Sequence, residues 1–385
     1  MQRKADAIVT GFAKSRELAE LSLVPLLRLR QENVLRRVVC VTWDTPEIDA
    51  YAGWVENLPG VTLARVPQPQ TSGTGNQRGI VYQTESLRAA LSLLPQDGEV
   101  TLKSRPDYVF DTAFLRRKIA AFDSWSTTPP RAIFGVVMPK PVLQSRIWIP
   151  WADSNQPFYY EDAAFIGARR DLHRLVTQLT AQDVATLGDE TCGSFVHAVR
   201  YAKPFLGDYP LFQRYLREYR YFASALEYRR KLVQHIVNDG FFWHMLIAHA
   251  WILHSHFHVD AGEQGELRFY SNNANRDVDA DWTDPAALNL ANPYDHLQQW
   301  RAWSRPGQAY PGIYRPYGRL LDDAWQRAFF TAELSDFPRA TLVRILQNVA
   351  SCRDGRLEKI EDDFYRGLAD FHRVHGPKPP VAEAC

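Results

Sequence analysis

Short β-branched runs and stretches of helical periodicity alternate through the first third of the chain. Residues 5–11 (ADAIVTG) form an apolar run closed by glycine, the pattern of a buried first strand. Between 16 and 31, Leu18, Leu21, Val24, Leu27 and Leu29 recur near helical spacing, with Pro25 expected to bend or restart the helix. A second strand, 37–43 (RVVCVTW), ends at Asp44. A helical segment at 46–57 and a third strand at 61–66 follow. The stretch 67–79 (PQPQTSGTGNQRG) reads as a loop, because its residues punctuate regular structure. A helix at 80–94 and a fourth strand at 99–104 complete the alternation. This order predicts an α/β fold with a mostly parallel, helix-flanked sheet. In such sheets ligands bind beyond the carboxyl ends of the strands, where Gly11, Asp44 and Asp107 fall.

Farther on, the pattern predicts a helix at 113–122, strands at 132–137 and 163–167, and a helix at 170–179. From about residue 181 the character becomes mainly helical. Residues 210–238 read as one long helix, and 337–349 and 357–374 as two more. The predicted organisation is an α/β region over 1–180 and a mainly α-helical region over 181–385.

The stretch 76–111 concentrates candidate chemistry. Asn76 and Arg78 precede a helix whose open N–H groups favour anions. On a continued strand, Lys103, Arg105 and Asp107 would share one side. Such a cluster suits a phosphorylated ligand, with Asp107 holding a magnesium or manganese ion against the phosphates. The plainer reading is a strand end with solvated charges and a local ion pair. Glu161 and Asp162 form a second acidic pair beside Trp148, Trp151, Phe158, Tyr159 and Tyr160. One of these acids could take a proton from a sugar hydroxyl, with the aromatic faces bearing sugar rings. The competing reading is a capping acid beside core aromatics. His254, His256 and His258 alternate as on a strand, but neutral histidines on an apolar element are more often satisfied core groups than metal ligands.

Composition narrows the field. The chain has 385 residues, 45% of them hydrophobic and 23% charged, close to the globular average. Its net charge of +1 gives no bulk electrostatic case for nucleic acid. Four scattered cysteines (Cys40, Cys192, Cys352, Cys385) make neither zinc spacing nor a dense disulfide framework. The amino-terminal apolar run is too short for a signal peptide, and 241–257 is too short and polar to span a bilayer. A cytoplasmic protein is expected. Arg214, Arg217, Arg220, Arg229, Arg230 and Lys231 form a basic face that could lie peripherally on the inner membrane, although such faces are usually solvated. Neither a Walker loop nor a GxGxxG fingerprint appears.

The ordered pieces ADAIVTG, VVCVTWD, GNQRGIVYQTESLRAAL, VTLKSRPDYVFD and YYEDAAFIGARRDL resemble the WavE-type lipopolysaccharide-synthesis proteins. The resemblance spans roughly residues 5–172 and extends faintly to Asp189 and Glu190. It implies a Rossmann-type fold of GT-A kind and a glycosyltransferase of lipopolysaccharide or polysaccharide biosynthesis. Such an enzyme takes a nucleotide-sugar donor and a glycan or glycolipid acceptor. The donor would lie across Thr10, Gly11, Asp44 and Asn76, with its diphosphate at Arg78, Lys103, Arg105 and Asp107. Asp107 would face the metal and phosphates, and Asp162 or Glu161 would serve as base. Two departures stand out: Pro106 precedes the acid, and one aspartate replaces a DxD pair. A phosphosugar or nucleotidyl transferase, and a non-catalytic carbohydrate-binding relative, remain the competing assignments.

Overall fold

The computed structural model describes residues 4–11, 13, 16–70, 75–95, 100–106, 108–110, 112–125, 140–149, 158, 160, 162, 164–177, 193–207, 210–219, 241–258 and 267–269. Its centre is a mixed sheet. The strands are β1 (Ala5–Thr10), β2 (Leu35–Trp43), β3 (Val61–Val66), β4 (Val100–Ser104), β6 (Ile147–Trp148), β7 (Phe165–Ala168) and β8 (Phe257–His258), in the order β3-β2-β1-β4-β7-β6-β8. The first four run parallel, and β7 joins β4 antiparallel. A separate pair joins β5 (Tyr108–Phe110) to β9 (Leu267–Phe269). Thus β8 and β9, far along the chain, complete sheets begun before residue 150.

β1 is buried along its whole length because neighbours flank it and helices cover both faces. That environment selects the near-continuous apolar run seen in the sequence. Asp6 is the exception, fully buried at the strand's start and paired with Arg36 at 2.6 Å and Arg37 at 3.4 Å. On one face, Ala5, Ala7, Val9, Val38, Cys40, Val100 and Leu102 form a core with α1 (Arg16–Gln31), α2 (Asp49–Glu56) and α4 (Thr112–Ala120). α3 (Gly75–Leu93) packs on β1 and β2 and against α5 (Arg169–Thr177) and α6 (Gly193–Leu206). Because sheet crossovers are right-handed, the reversal of direction between β3 and β4 puts α3 on the face opposite α1. Two further helices, α7 (Pro210–Tyr219) and α8 (Phe241–His256), pack against α6.

Several expectations change. The predicted loop 67–79 gives way to helix at Gly75, so Asn76 and Arg78 lie in the first turn of α3. β4 stops at Ser104, and the chain turns at Pro106 before β5 leaves for another sheet. Lys103 and Arg105 therefore do not continue one strand, since proline lacks the N–H a ladder requires. His254 and His256 are helical rather than strand residues. The expected strand at 132–137 and the helices at 337–349 and 357–374 lie outside the described residues, as does all but 210–219 of the long basic helix. Within 210–219, Arg214 pairs with Glu218 at 2.7 Å. Among the described residues no helix is long and apolar enough to cross a membrane.

Candidate functional site

Strand order reverses between β1 and β4, whose carboxyl ends lie side by side. This is the position at which open α/β sheets hold ligands. A cavity of about 450 Å³ opens at that point. Thr10 and Gly11 line it from β1, Trp43, Thr45 and Glu47 from the end of β2, and Gln68 from beyond β3. Arg105 and Pro106 follow β4, while Gly79, Tyr82, Gln83 and Ser86 come from α3. The four α3 residues are spaced i, i+3, i+4, i+7, so they share one face. The apolar stripe of Ile80, Leu87, Ala90 and Leu91 is buried on the sheet side.

Gly11 holds the floor of the cavity together. Its φ of +120° lies where a side chain is strained, and a Cβ there would meet Pro106 Cδ at 3.4 Å. Its N–H donates to the Val41 carbonyl at 3.0 Å. Glycine is thus needed for the backbone angle, while a Cβ would only reach ordinary van der Waals contact with Pro106. The Thr10 hydroxyl reaches the Ser104 carbonyl at 3.5 Å across the same gap.

The two ends of the cavity differ. Toward β2, the Trp43 and Tyr82 rings pack with centroids 5.2 Å apart, tilted by 55°. The Gln68 side-chain amide donates to the Tyr82 hydroxyl at 2.8 Å. A hydrogen bond from the Thr45 side chain lowers the pKa of Glu47, so this exposed carboxylate is ionised at neutral pH. Toward β4, Gln83 turns to Arg200 of α6, whose Nη1 donates to Gln83 Oε1. The same Nη1 pairs with Asp162 Oδ2 at 3.0 Å, and both side chains are almost fully buried. The Arg200 guanidinium also lies over the Tyr201 ring at 4.9 Å.

Sequence expectations meet this geometry unevenly. Thr10, Gly11 and Arg105 are brought together in the cavity wall. Asp44 is not among the residues that line the cavity; it is largely exposed and lies 3.7 Å from Arg65. Lys103 is buried, its ammonium bonded to the Asp162 main-chain carbonyl and 5.3 Å from the Phe165 ring centroid. It belongs to the wall between β4 and β7 rather than to an exposed anion-binding row. Asn76 and Arg78 stand one turn before Gly79 and Tyr82, with side chains outside the described residues. Asp107, Glu161, Asp189 and Glu190 also lie outside them.

The described aromatics of the 144–160 segment are core rather than an open platform for sugars. Trp148, Phe158 and Tyr160 are buried. Trp148 packs on Phe114 with centroids 5.6 Å apart, and Tyr160 on Phe257 at 4.8 Å. Trp151 and Tyr159 are outside the described residues. Phe158 has a φ of 66°, an outlier for a bulky residue. His249 holds it there, accepting the Phe158 N–H at Nδ1 over 3.1 Å. An amide N–H can only donate, so Nδ1 is the unprotonated nitrogen. Burial raises the Tyr160 phenol well above its ordinary pKa, and its hydroxyl lies 2.8 Å from the same nitrogen.

His256 acts similarly on another loop. Its Nε2 accepts the Val142 N–H at 2.8 Å, and Nδ1 lies 3.3 Å from the Ile252 carbonyl. Burial, aided by Arg174, drops its pKa to about 3. Both histidines are satisfied core groups that anchor loops to α8. Among the described residues no group of three or more His, Cys, Asp or Glu side chains is placed to hold a metal ion. Trp43, Thr45, Glu47, Gln68, Tyr82, Gln83, Ser86 and Arg200 were not expected. The i, i+3, i+4, i+7 spacing of small and polar residues along α3 could have flagged its four, but nothing in the sequence marks Arg200.

No protein-family model matches the chain, and a comparison with curated proteins finds no match. Among solved structures it aligns with a mannosyltransferase from Pyrobaculum calidifontis in complex with GDP-Man and Mn2+. That alignment has 13% identity, covers 97% of this chain and 87% of that one, and scores a TM of 0.33. S. aureus TarS aligns at 12% identity over 96% of this chain and 90% of that one, with a TM-score of 0.32. A 4-diphosphocytidyl-2C-methyl-D-erythritol synthase from Anaerococcus prevotii aligns at 11% identity over 48% and 83%, with a TM-score of 0.31. Scores of this size establish no common fold, and the functional reading rests on the sheet and its cavity.

Proposed function

We propose that this chain is a glycosyltransferase that takes its sugar from a nucleotide-sugar donor, with a cell-envelope glycan or lipopolysaccharide-type acceptor. The observation that carries the reading is the cavity of about 450 Å³ at the reversal of strand order, aromatic at one end and cationic at the other. The nucleoside base lies against Trp43 and Tyr82, and the ionised Glu47 accepts from ribose hydroxyls. Arg105 faces the diphosphate. The first turn of α3, with Asn76 and Arg78, adds donors and the positive end of the helix dipole.

In an inverting reaction a carboxylate takes the proton of the acceptor hydroxyl. The acceptor oxygen then bonds to the anomeric carbon as the bond to the diphosphate oxygen breaks. Arg105 and its neighbours stabilise the charge that collects on the departing diphosphate. Asp162 is committed to Arg200, so Glu161 is assigned as the base. A divalent ion, if used, would be held by Asp107 with the diphosphate oxygens and would neutralise the leaving group. The described residues supply no other acid cluster for it.

Product analysis with a donor labelled in the sugar and in the β-phosphate tests the proposal. Sugar label in the glycan, with the phosphate label retained on the released nucleoside diphosphate, supports sugar transfer. Phosphate label in the product supports a phosphosugar or nucleotidyl transferase. Asp107→Asn should abolish turnover without unfolding the chain, and undiminished turnover by that variant would remove Asp107 from the site.

A further inference from the structure

The side-chain orientation of Gln83, a residue of the cavity wall, is dictated from outside the cavity. Arginine carries donors and no acceptor, so the atom of Gln83 that meets Arg200 Nη1 must be the amide oxygen. The amide nitrogen is thereby turned away from Arg200 and left to donate elsewhere. Arg200 is itself fixed on three sides: Asp162 at 3.0 Å, the Tyr201 ring at 4.9 Å, and Gln83. With Arg200 only 4% exposed, the guanidinium cannot swing out to solvent without breaking a buried ion pair.

On the basis of the proposed function, we propose that Arg200 is a positioning residue that locks Gln83 as a hydrogen-bond donor to an oxygen of the donor ligand. Asp162 is the counter-charge that keeps Arg200 in place and does not itself touch the ligand. Placement along α3 says which part of the ligand is met. Tyr82 turns toward Trp43 and β2, whereas Gln83 turns toward α6 and the β4–β7 side. Gln83 therefore shares the end of the cavity that holds Arg105 and Pro106, away from the aromatic pair. The acceptor it meets is an oxygen of the diphosphate or of the transferred sugar, not an atom of the base.

Gln83→Glu separates this role from a structural one. Glutamate keeps an oxygen for Arg200 and adds a favourable charge pair, but replaces the donating nitrogen with a second acceptor. The full chain and this variant are titrated calorimetrically with UDP, GDP, ADP, CDP and dTDP and with the corresponding nucleotide-sugars. The wild type should bind one nucleotide series. Gln83→Glu should melt no lower than wild type yet bind that series at least tenfold more weakly. Loss for both diphosphate and nucleotide-sugar assigns the oxygen to the phosphates, and loss for the nucleotide-sugar alone assigns it to the sugar. Arg200→Lys, which retains charge but not the planar fork, should weaken binding in the same series. Equal affinity of wild type and Gln83→Glu would overturn the inference while leaving the proposed function standing. Failure of the wild type to bind any of the probes would overturn both.

Discussion

Removing the carboxylate of Asp162 isolates the Arg200 guanidinium in a buried site. The two groups are 3.0 Å apart, with side chains 8% and 4% exposed. Breaking a buried pair by deleting one partner costs about 3–5 kcal/mol, because the remaining charge is desolvated without compensation. Gln83 and the Tyr201 ring still contact the guanidinium and place the expected cost of Asp162→Ala near the lower end, about 3 kcal/mol. Arg200→Met should cost a similar amount, since it removes the buried cation paired with the carboxylate. The double variant Asp162→Leu with Arg200→Met exchanges the pair for apolar volume and should recover most of the loss. The double variant then costs far less than the sum of the two single changes, the non-additivity expected of side chains in direct contact. Urea denaturation followed by tryptophan fluorescence and circular dichroism reads these values where the two transitions coincide. A cost below about 1 kcal/mol for Asp162→Ala, the range of solvent-exposed pairs, would refute the buried pair and the positioning built on it.

Three further outcomes are expected. Gly11→Ala forces a side chain onto φ +120° and against Pro106, so it should cost about 1–3 kcal/mol and lower nucleotide affinity as well, read by melting and by titration. His256 is neutral in the fold, with its pKa lowered to about 3, and protonates in the unfolded chain near 6.5. The unfolded state therefore binds more protons between those values, and stability is full above about pH 6.5 and falls on acidification by up to about 1.4 kcal/mol per pH unit. His256→Gln should flatten that slope in pH-dependent denaturation, and an unchanged slope would contradict the assignment. Burial pushes the Cys40 thiol up to about 12, so maleimide labelling followed by mass spectrometry should modify it only after unfolding.

The order of strands and helices was legible as far as β4 because the parallel strands are buried on both faces and carry compact apolar runs. What escaped was set by neighbours far along the chain. α3 begins five residues before Ile80, and that first turn is not legible because Gly75–Gly79 carries turn-forming residues with no apolar spacing. The row of Lys103, Arg105 and Asp107 fails as a strand because Pro106 ends the ladder, a signal present in the sequence that a period-2 count ignores. Trp148, Phe158 and Tyr160 admit a sugar-platform or a core reading from sequence alone, and contacts from α4, α6, α7 and α8 make them core. Arg200 joins Asp162 across 38 residues, and no local pattern announces such a pair.

The claim on which the account turns is that the cavity between β1 and β4 binds a nucleotide-sugar through Trp43, Tyr82 and Arg105. A thermal-shift screen of the full chain against UDP-, GDP-, ADP-, CMP- and dTDP-sugars, with and without manganese, tests it most directly. One series should raise the melting temperature, since ligand at a hundredfold excess over its dissociation constant stabilises by about 2.7 kcal/mol. Tyr82→Ala, which removes the aromatic wall, should lose most of that shift while still folding. No shift with any sugar nucleotide, or an equal shift in Tyr82→Ala, would contradict the account.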